Sequence, residues 1–178
     1  DFYHNADFYK LDLDYIFHRQ WVFAGHDAEL TRQGSWFTLQ LGEYPVVVVR
    51  GKDGGLKAWH NVCRHRGFKL CHGTHGRAKG RKLTCPYHQG SDDVDSGNLK
   101  LAREMGDEFD LDSHGLIAAH VESVGGLIYV NVADSPPVFA PVRELQQPFS
   151  EPFDLANAKI AHQERATEKG NWKLVLGV

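Results

Sequence analysis

Residues 63–88 open with Cys63-Arg64-His65, run through nineteen further residues, and close with Cys85-Pro86-Tyr87-His88. Each end offers one thiolate and one imidazole. Two short loops brought together would supply two sulfur and two nitrogen ligands, a set that suits one asymmetric binuclear iron site. Two Cys and two His also satisfy tetrahedral zinc, but zinc fingers pair cysteine with cysteine and place paired histidines on a helix. Here both halves are mixed, and Pro86 interrupts the second. The candidate metal ligands are Cys63, His65, Cys85 and His88.

The rest of the composition bounds the function. A chain of 178 residues can bury a core, and it fits one domain or one domain plus a fragment of another. A net charge of −3 gives no general basic footprint, so no nucleic-acid partner is expected. The longest strongly apolar run is Val46-Val47-Val48-Val49, far below the roughly 20 residues of a membrane span, and no charged-then-apolar leader is present. Of three cysteines only Cys71 lies outside the pattern. No disulfide framework is therefore expected, and a reducing cytoplasm is the natural compartment. The chain opens at Asp1 without methionine, which reads as a trimmed or partial chain.

Taken in order, residues 7–20 place Leu13, Ile16, Phe17 and Trp21 at near-helical spacing, with acidic residues early and basic ones late. An amphipathic helix packed on the following sheet is expected. Strands are expected over 35–41, 44–50 and 56–61, with Asp53-Gly54 at a hairpin turn. Further strands are expected over 82–84, 115–123 and 126–132, the last two turning at Gly125-Gly126. Pro136, Pro137, Pro141, Pro148 and Pro152 then mark a wrapping linker with a short helix over 142–147. Residues 158–167 read as one more strand and 168–174 as the start of a helix. Short strands and frequent turns indicate a small antiparallel β domain.

Six stretches carry a resemblance: Phe23-Ala24-Gly25-His26, Val46-Val47-Val48-Val49-Arg50-Gly51, Asn61-Val62-Cys63-Arg64-His65-Arg66-Gly67, Cys85-Pro86-Tyr87-His88-Gln89, Gly125-Gly126-Leu127-Ile128-Tyr129 and Gly170-Asn171-Trp172-Lys173-Leu174. Together they resemble the N-terminal part of the large (α) subunit of Rieske non-haem iron oxygenases, the ring-hydroxylating family. Within it the chain looks most like the branch acting on quaternary ammonium compounds, similar to glycine betaine and choline-type monooxygenases. The resemblance implies a mainly β fold: a small antiparallel Rieske-type domain with an N-terminal helix and a C-terminal stub of an α+β catalytic domain. The boundaries expected are 1–33, 34–135 and 136–178.

The same resemblance implies a Rieske [2Fe–2S] cluster, with Cys63 and Cys85 on the inner iron and His65 and His88 on the outer. Two ferric ions, two sulfides, two thiolates and neutral imidazoles cancel to zero charge, against a dianion for a four-cysteine cluster. Reduction is then easier, at roughly −150 to +300 mV against about −400 mV for plant-type ferredoxins. The implied partners are an NAD(P)H-dependent reductase or a ferredoxin, and a homotrimer in which His88 is the electron exit. The electron's destination would be a mononuclear Fe(II) held by two His and one carboxylate in the catalytic domain. This chain is expected to end before those ligands, and so to shuttle electrons as part of an oxygenase without itself hydroxylating. His162 and Glu164 read as a polar surface pair.

Two alternatives remain: a stand-alone Rieske ferredoxin, which would not need the N-terminal helix or the tail 136–178, and a zinc-stabilised interaction module. The chain also departs from the family. After His88 it reads Gln89-Gly90-Ser91-Asp92-Asp93-Val94-Asp95, one residue longer than usual and without the expected aromatics. Such an acidic loop is expected to expose the outer iron and disfavour the reduced cluster by Coulomb repulsion. The loop 66–84, rich in His, Lys and Arg, reads as a solvated surface loop in preference to a docking patch. With Tyr87 where a second bridging cysteine would sit, Cys71 is expected to be a packing residue.

Overall fold

The computed structural model describes residues 2–103, 105–106 and 108–177. Helix α1 (Ala6–Asp12) is capped by Asn5, whose Oδ1 accepts the Asp7 N–H at 2.7 Å, and it continues as a π-helical turn over Leu13–Phe17. Ten strands follow among the described residues: β1 (Val22–His26), β2 (Ser35–Leu41), β3 (Tyr44–Arg50), β4 (Leu56–His60), β5 (His75–Arg77), β6 (Lys82–Thr84), β7 (Ser91–Asp93), β8 (Leu99–Leu101), β9 (Ala118–Val124) and β10 (Leu127–Asn131). Helices α2 (Ala140–Ser150) and α3 (Trp172–Leu176) complete the chain. A seven-stranded sheet has the order β1-β10-β9-β4-β3-β2-β5, and a three-stranded sheet has the order β6-β7-β8. Every pairing is antiparallel, as the mainly β reading implies.

The valine run explains how the two sheets share a core. Successive side chains of a strand face opposite sides, so a continuous apolar run suits a strand buried on both faces. Val46 and Val48 face Phe37, Ile128 and Val130 in the core of the large sheet. Val47 and Val49 face the other way, onto Trp59, Leu70, Cys71, Cys85 and Val94. Each buried valine contributes roughly 1.5–3 kcal/mol. The same strand thus supports the core of the large sheet and the floor beneath both cysteine-bearing loops.

Three departures from expectation have local causes. Residues 158–167 form no strand: the backbone finds no ladder partner there, and the segment is tied down by side chains instead. Glu29 anchors it, its Oε2 accepting from Gln163 Nε2 at 3.2 Å and bonding His75 Nε2 at 2.6 Å. The N-terminal helix is shorter than residues 7–20; His18, just past its end, meets the sheet edge-on at Tyr44 with centroids 4.7 Å apart, and a buried contact is made with the C-terminal end of the chain. Asp12 accepts from Trp172 Nε1 at 3.0 Å and pairs with Lys173 Nζ, while Phe17 stacks edge-on against Trp172. Finally β1, which lies within residues 1–33, is an edge strand of the large sheet, with Val22 opposite Val130 and His26 opposite Leu127.

Candidate metal centre

Two loops present the expected ligands, and they share one backbone frame. In the first, between β4 and β5, the Cys63 N–H donates to the Phe68 carbonyl and the Gly67 N–H donates back to the Cys63 carbonyl, at 2.8 and 2.9 Å. In the second, between β6 and β7, the Cys85 N–H donates to the Gly90 carbonyl and the Gln89 N–H to the Cys85 carbonyl, again at 2.8 and 2.9 Å. Asn61, fully buried, fastens the first loop from behind. Its Nδ2 donates to the Cys71 carbonyl at 2.8 Å, and its Oδ1 accepts the N–H groups of Leu70 and Cys71 at 3.1 and 2.8 Å. The second loop rests on a β7–β8 turn in which Gly97, at φ +71°, lies so close to the Trp59 ring that a Cβ would meet it at 2.5 Å.

The loops bring Cys63, His65, Cys85 and His88 to one cavity of about 120 Å³. The thiols are inside and the imidazoles outside: Cys85 is buried, Cys63 and His88 are half-buried, and His65 is exposed. The two imidazole rings face each other with centroids 4.7 Å apart. Burial pushes the Cys63 thiol up, as does the Cys85 sulfur facing it, while the backbone N–H groups of His65 and Arg66 pull the other way. All three cysteines are free thiols. Cys71 sits in the core, where burial pushes its thiol up to about 12, as a packing role requires. Outside the imidazoles a groove of about 430 Å³ is bordered by Arg66, Tyr87 and Arg103.

The acidic loop is only partly what its composition suggested. Asp93 Oδ1 accepts the N–H groups of Asp95 and Ser96, both at 3.0 Å, and Asp95 Oδ1 accepts the Lys52 N–H at 2.8 Å. Both side chains close turns. Asp92 instead lines the ligand cavity and is 3% exposed. Burial pushes its carboxyl up to about 7. The Lys and Arg side chains of the 66–84 loop are exposed, and His162 and Glu164 form a 4.0 Å surface pair. Neither the Asn61 clamp nor the inward turn of Asp92 has a sequence pattern of its own; alternation along Ser91-Asp92-Asp93 is the one signal that could have singled out Asp92.

The donor set fits a [2Fe–2S] cluster. The sulfurs face each other on the buried side, the imidazoles face each other on the open side, and backbone N–H groups are directed at the Cys63 sulfur. Among the described residues, no three His, Cys, Asp or Glu side chains converge on a single point. Comparison with known proteins agrees. A family model described as the Rieske [2Fe–2S] domain matches residues 20–118. The glycine betaine monooxygenase oxygenase subunit of Pseudomonas aeruginosa (strain UCBPP-PA14) is 40% identical over 175 residues, covering 98% of this chain and 40% of the relative. The benzene 1,2-dioxygenase subunit alpha of Pseudomonas putida is 38% identical over 132 residues, covering 72% of this chain and 29% of the relative. A crystal structure of the quaternary ammonium Rieske monooxygenase CntA in complex with L-carnitine superposes with a TM-score of 0.84 at 28% identity, over 98% of this chain and 50% of that one. The chain thus spans 40% and 29% of the length of the two curated relatives and half of the CntA chain. It belongs to the Rieske [2Fe–2S] domain family, in the portion shared with oxygenase large subunits.

Proposed function

We propose that Cys63 and Cys85 hold one iron of the cluster and His65 and His88 the other, and that the chain is the electron-receiving part of a Rieske oxygenase. The observation that carries this is the shared loop frame, which brings a buried Cys85 and a half-buried Cys63 into one cavity with the paired rings of His65 and His88. When bound, the cluster accepts and releases one electron at a time. The chain's own residues do the rest. Val47, Val49 and Leu83 beneath the loops exclude water from the sulfur side. The N–H groups of His65 and Arg66 stabilise charge on the Cys63 sulfur. The ring nitrogens left free of metal face the groove beside Arg66 and Arg103, where they can donate hydrogen bonds to a docked protein.

In this reading an NAD(P)H-dependent reductase or a ferredoxin delivers electrons in the cytoplasm. His88 is the exit toward a mononuclear iron held by the catalytic domain of a neighbouring subunit in a homotrimer, and this chain alone does not activate dioxygen. The substrate class is a quaternary ammonium compound, oxidised by hydroxylation or N-demethylation; the names of the relatives over nearly the whole chain support it. Similarity that extends over 98% of the chain, α1 and the 136–177 strap included, favours an oxygenase component over a stand-alone carrier.

The test is iron and acid-labile sulfide per chain in Cys85→Ser, His88→Ala and Cys71→Ala. Loss of both in the first two with retention in the third is expected. Equal loading in all three would contradict the ligand assignment.

A further inference from the structure

Three aspartates follow His88 within seven residues, and two are engaged in turns: Asp93 by Asp95 and Ser96, Asp95 by Lys52. Asp92 is different. On β7 its backbone pairs with Leu83 of β6 and Leu99 of β8, and its side chain lines the cavity with the four candidate ligands. The other neighbours there are mostly apolar, among them Leu99, Ala102 and Phe109. Among the described residues, no hydrogen bond or ion pair reaches its carboxyl, and burial alone accounts for the upward displacement of its pKa. Arg64 and Arg103 border the same cavity, yet neither lies within ion-pairing distance of Asp92.

A largely buried carboxylate with no partner among the described residues is unfavourable for folding. A neutral residue could occupy this place on β7 without that penalty.

We propose that Asp92 sets the reduction potential of the cluster, its carboxylate facing the cavity and favouring the oxidised form. This rests on the reading that Cys63, His65, Cys85 and His88 hold the cluster. A fixed negative charge opposes the arrival of an electron, and with Arg64, Arg103 and His114 on the cavity wall but none within ion-pairing distance, the repulsion is only partly offset. The residue neither ligates iron nor meets a partner protein. It acts through the electron affinity of the centre beside it.

The experiment is a redox titration, followed by electron paramagnetic resonance, of the cluster-loaded wild type, Asp92→Asn, Asp92→Glu and the surface control Glu108→Gln. All are held at about pH 8.5, above the usual carboxylate range, with iron per chain measured on each sample. At a fixed potential, Asp92→Asn is expected to raise the reduced-to-oxidised ratio about tenfold, a shift of about 59 mV for one electron. Asp92→Glu and Glu108→Gln are expected to stay at the wild-type midpoint. An Asp92→Asn midpoint that is unchanged or lower overturns the proposal, as does an equal rise in Glu108→Gln. Should Asp92→Asn assemble no cluster, Asp92→Ser is read against the same outcomes. A wild type without a Rieske-type signal sinks the cluster assignment itself, whereas a normal signal with an unmoved Asp92→Asn midpoint sinks only the role of Asp92.

Discussion

Gly67 and Gln89 occupy the same place in two different loops. Each stands four residues after a cysteine, donates its N–H to that cysteine's carbonyl at 2.9 Å, and has a left-handed backbone, φ +69° in Gly67 and +59° in Gln89. The frames match although the imidazole follows its cysteine by two residues in the first loop and by three in the second. The spacing difference in the sequence is therefore absorbed inside a constant turn. The left-handed residue closes that turn, which places the cysteine sulfur inward.

A left-handed backbone is natural for glycine and costs about 1–2 kcal/mol for other residues. Gln89→Gly is expected to stabilise the fold by up to about 1 kcal/mol while keeping the cluster. Gly67→Ala is expected to destabilise it by about 1–2 kcal/mol; a Cβ at Gly67 would meet nothing within 4 Å, so the effect isolates the backbone. Urea unfolding of both variants, with iron content recorded, checks the pair.

Asn61 supplies three hydrogen bonds to the backbone of Leu70 and Cys71 from a site that is 2% exposed. Asn61→Ala would leave these backbone groups buried and unpaired. A loss of about 2–4 kcal/mol is expected, read as a lower urea midpoint with faster proteolysis between residues 66 and 84.

The ion pair of Lys173 with Asp12 makes the contact between α3 and α1 acid-sensitive. The hydrogen bond from Lys173, followed by that from Trp172, holds the Asp12 carboxyl below its usual range against the opposing effect of burial. A depressed carboxylate contributes stability that is full above its unfolded value of about 3.9 and is lost as pH falls through the lower folded value. The indole N–H resonance of Trp172, bonded to Asp12 at 3.0 Å, is expected to hold its folded position until the pH drops below about 4. In Lys173→Met the transition should move to higher pH. An unchanged transition would show that Lys173 does not depress Asp12.

Cys71 tests the difference between a ligand and a packing thiol. Cys71→Ser places a hydroxyl among apolar neighbours and is expected to cost about 1–3 kcal/mol. Iron per chain should stay at the wild-type level, measured by colorimetric assay after desalting.

The sequence made the central strands legible because their patterns are strong. The four valines of β3 and the turns at Gly54 and Gly125 place β2 to β4, β9 and β10 within a few residues of where they lie. The strands that went unread are β5, β7 and β8, three residues each, and β1. His75-Gly76-Arg77 carries no apolar alternation and is exposed throughout; only its backbone pairing with β2 makes it a strand. Residues 158–167 show the reverse failure, a plausible pattern with no partner strand beside it. At the site, motif spacing brought all four candidate ligands forward. The frame that unites their loops depends on hydrogen bonds between backbone groups, which no side-chain pattern records, and the partners of Asp12 stand 160 and 161 residues away.

The cluster is tested most directly by iron and zinc per chain, together with the electron paramagnetic resonance spectrum of the anaerobically purified, dithionite-reduced protein. About two irons per chain and the rhombic signal of a Rieske centre are expected. Stoichiometric zinc, or a folded protein that holds no metal, would contradict the cluster assignment.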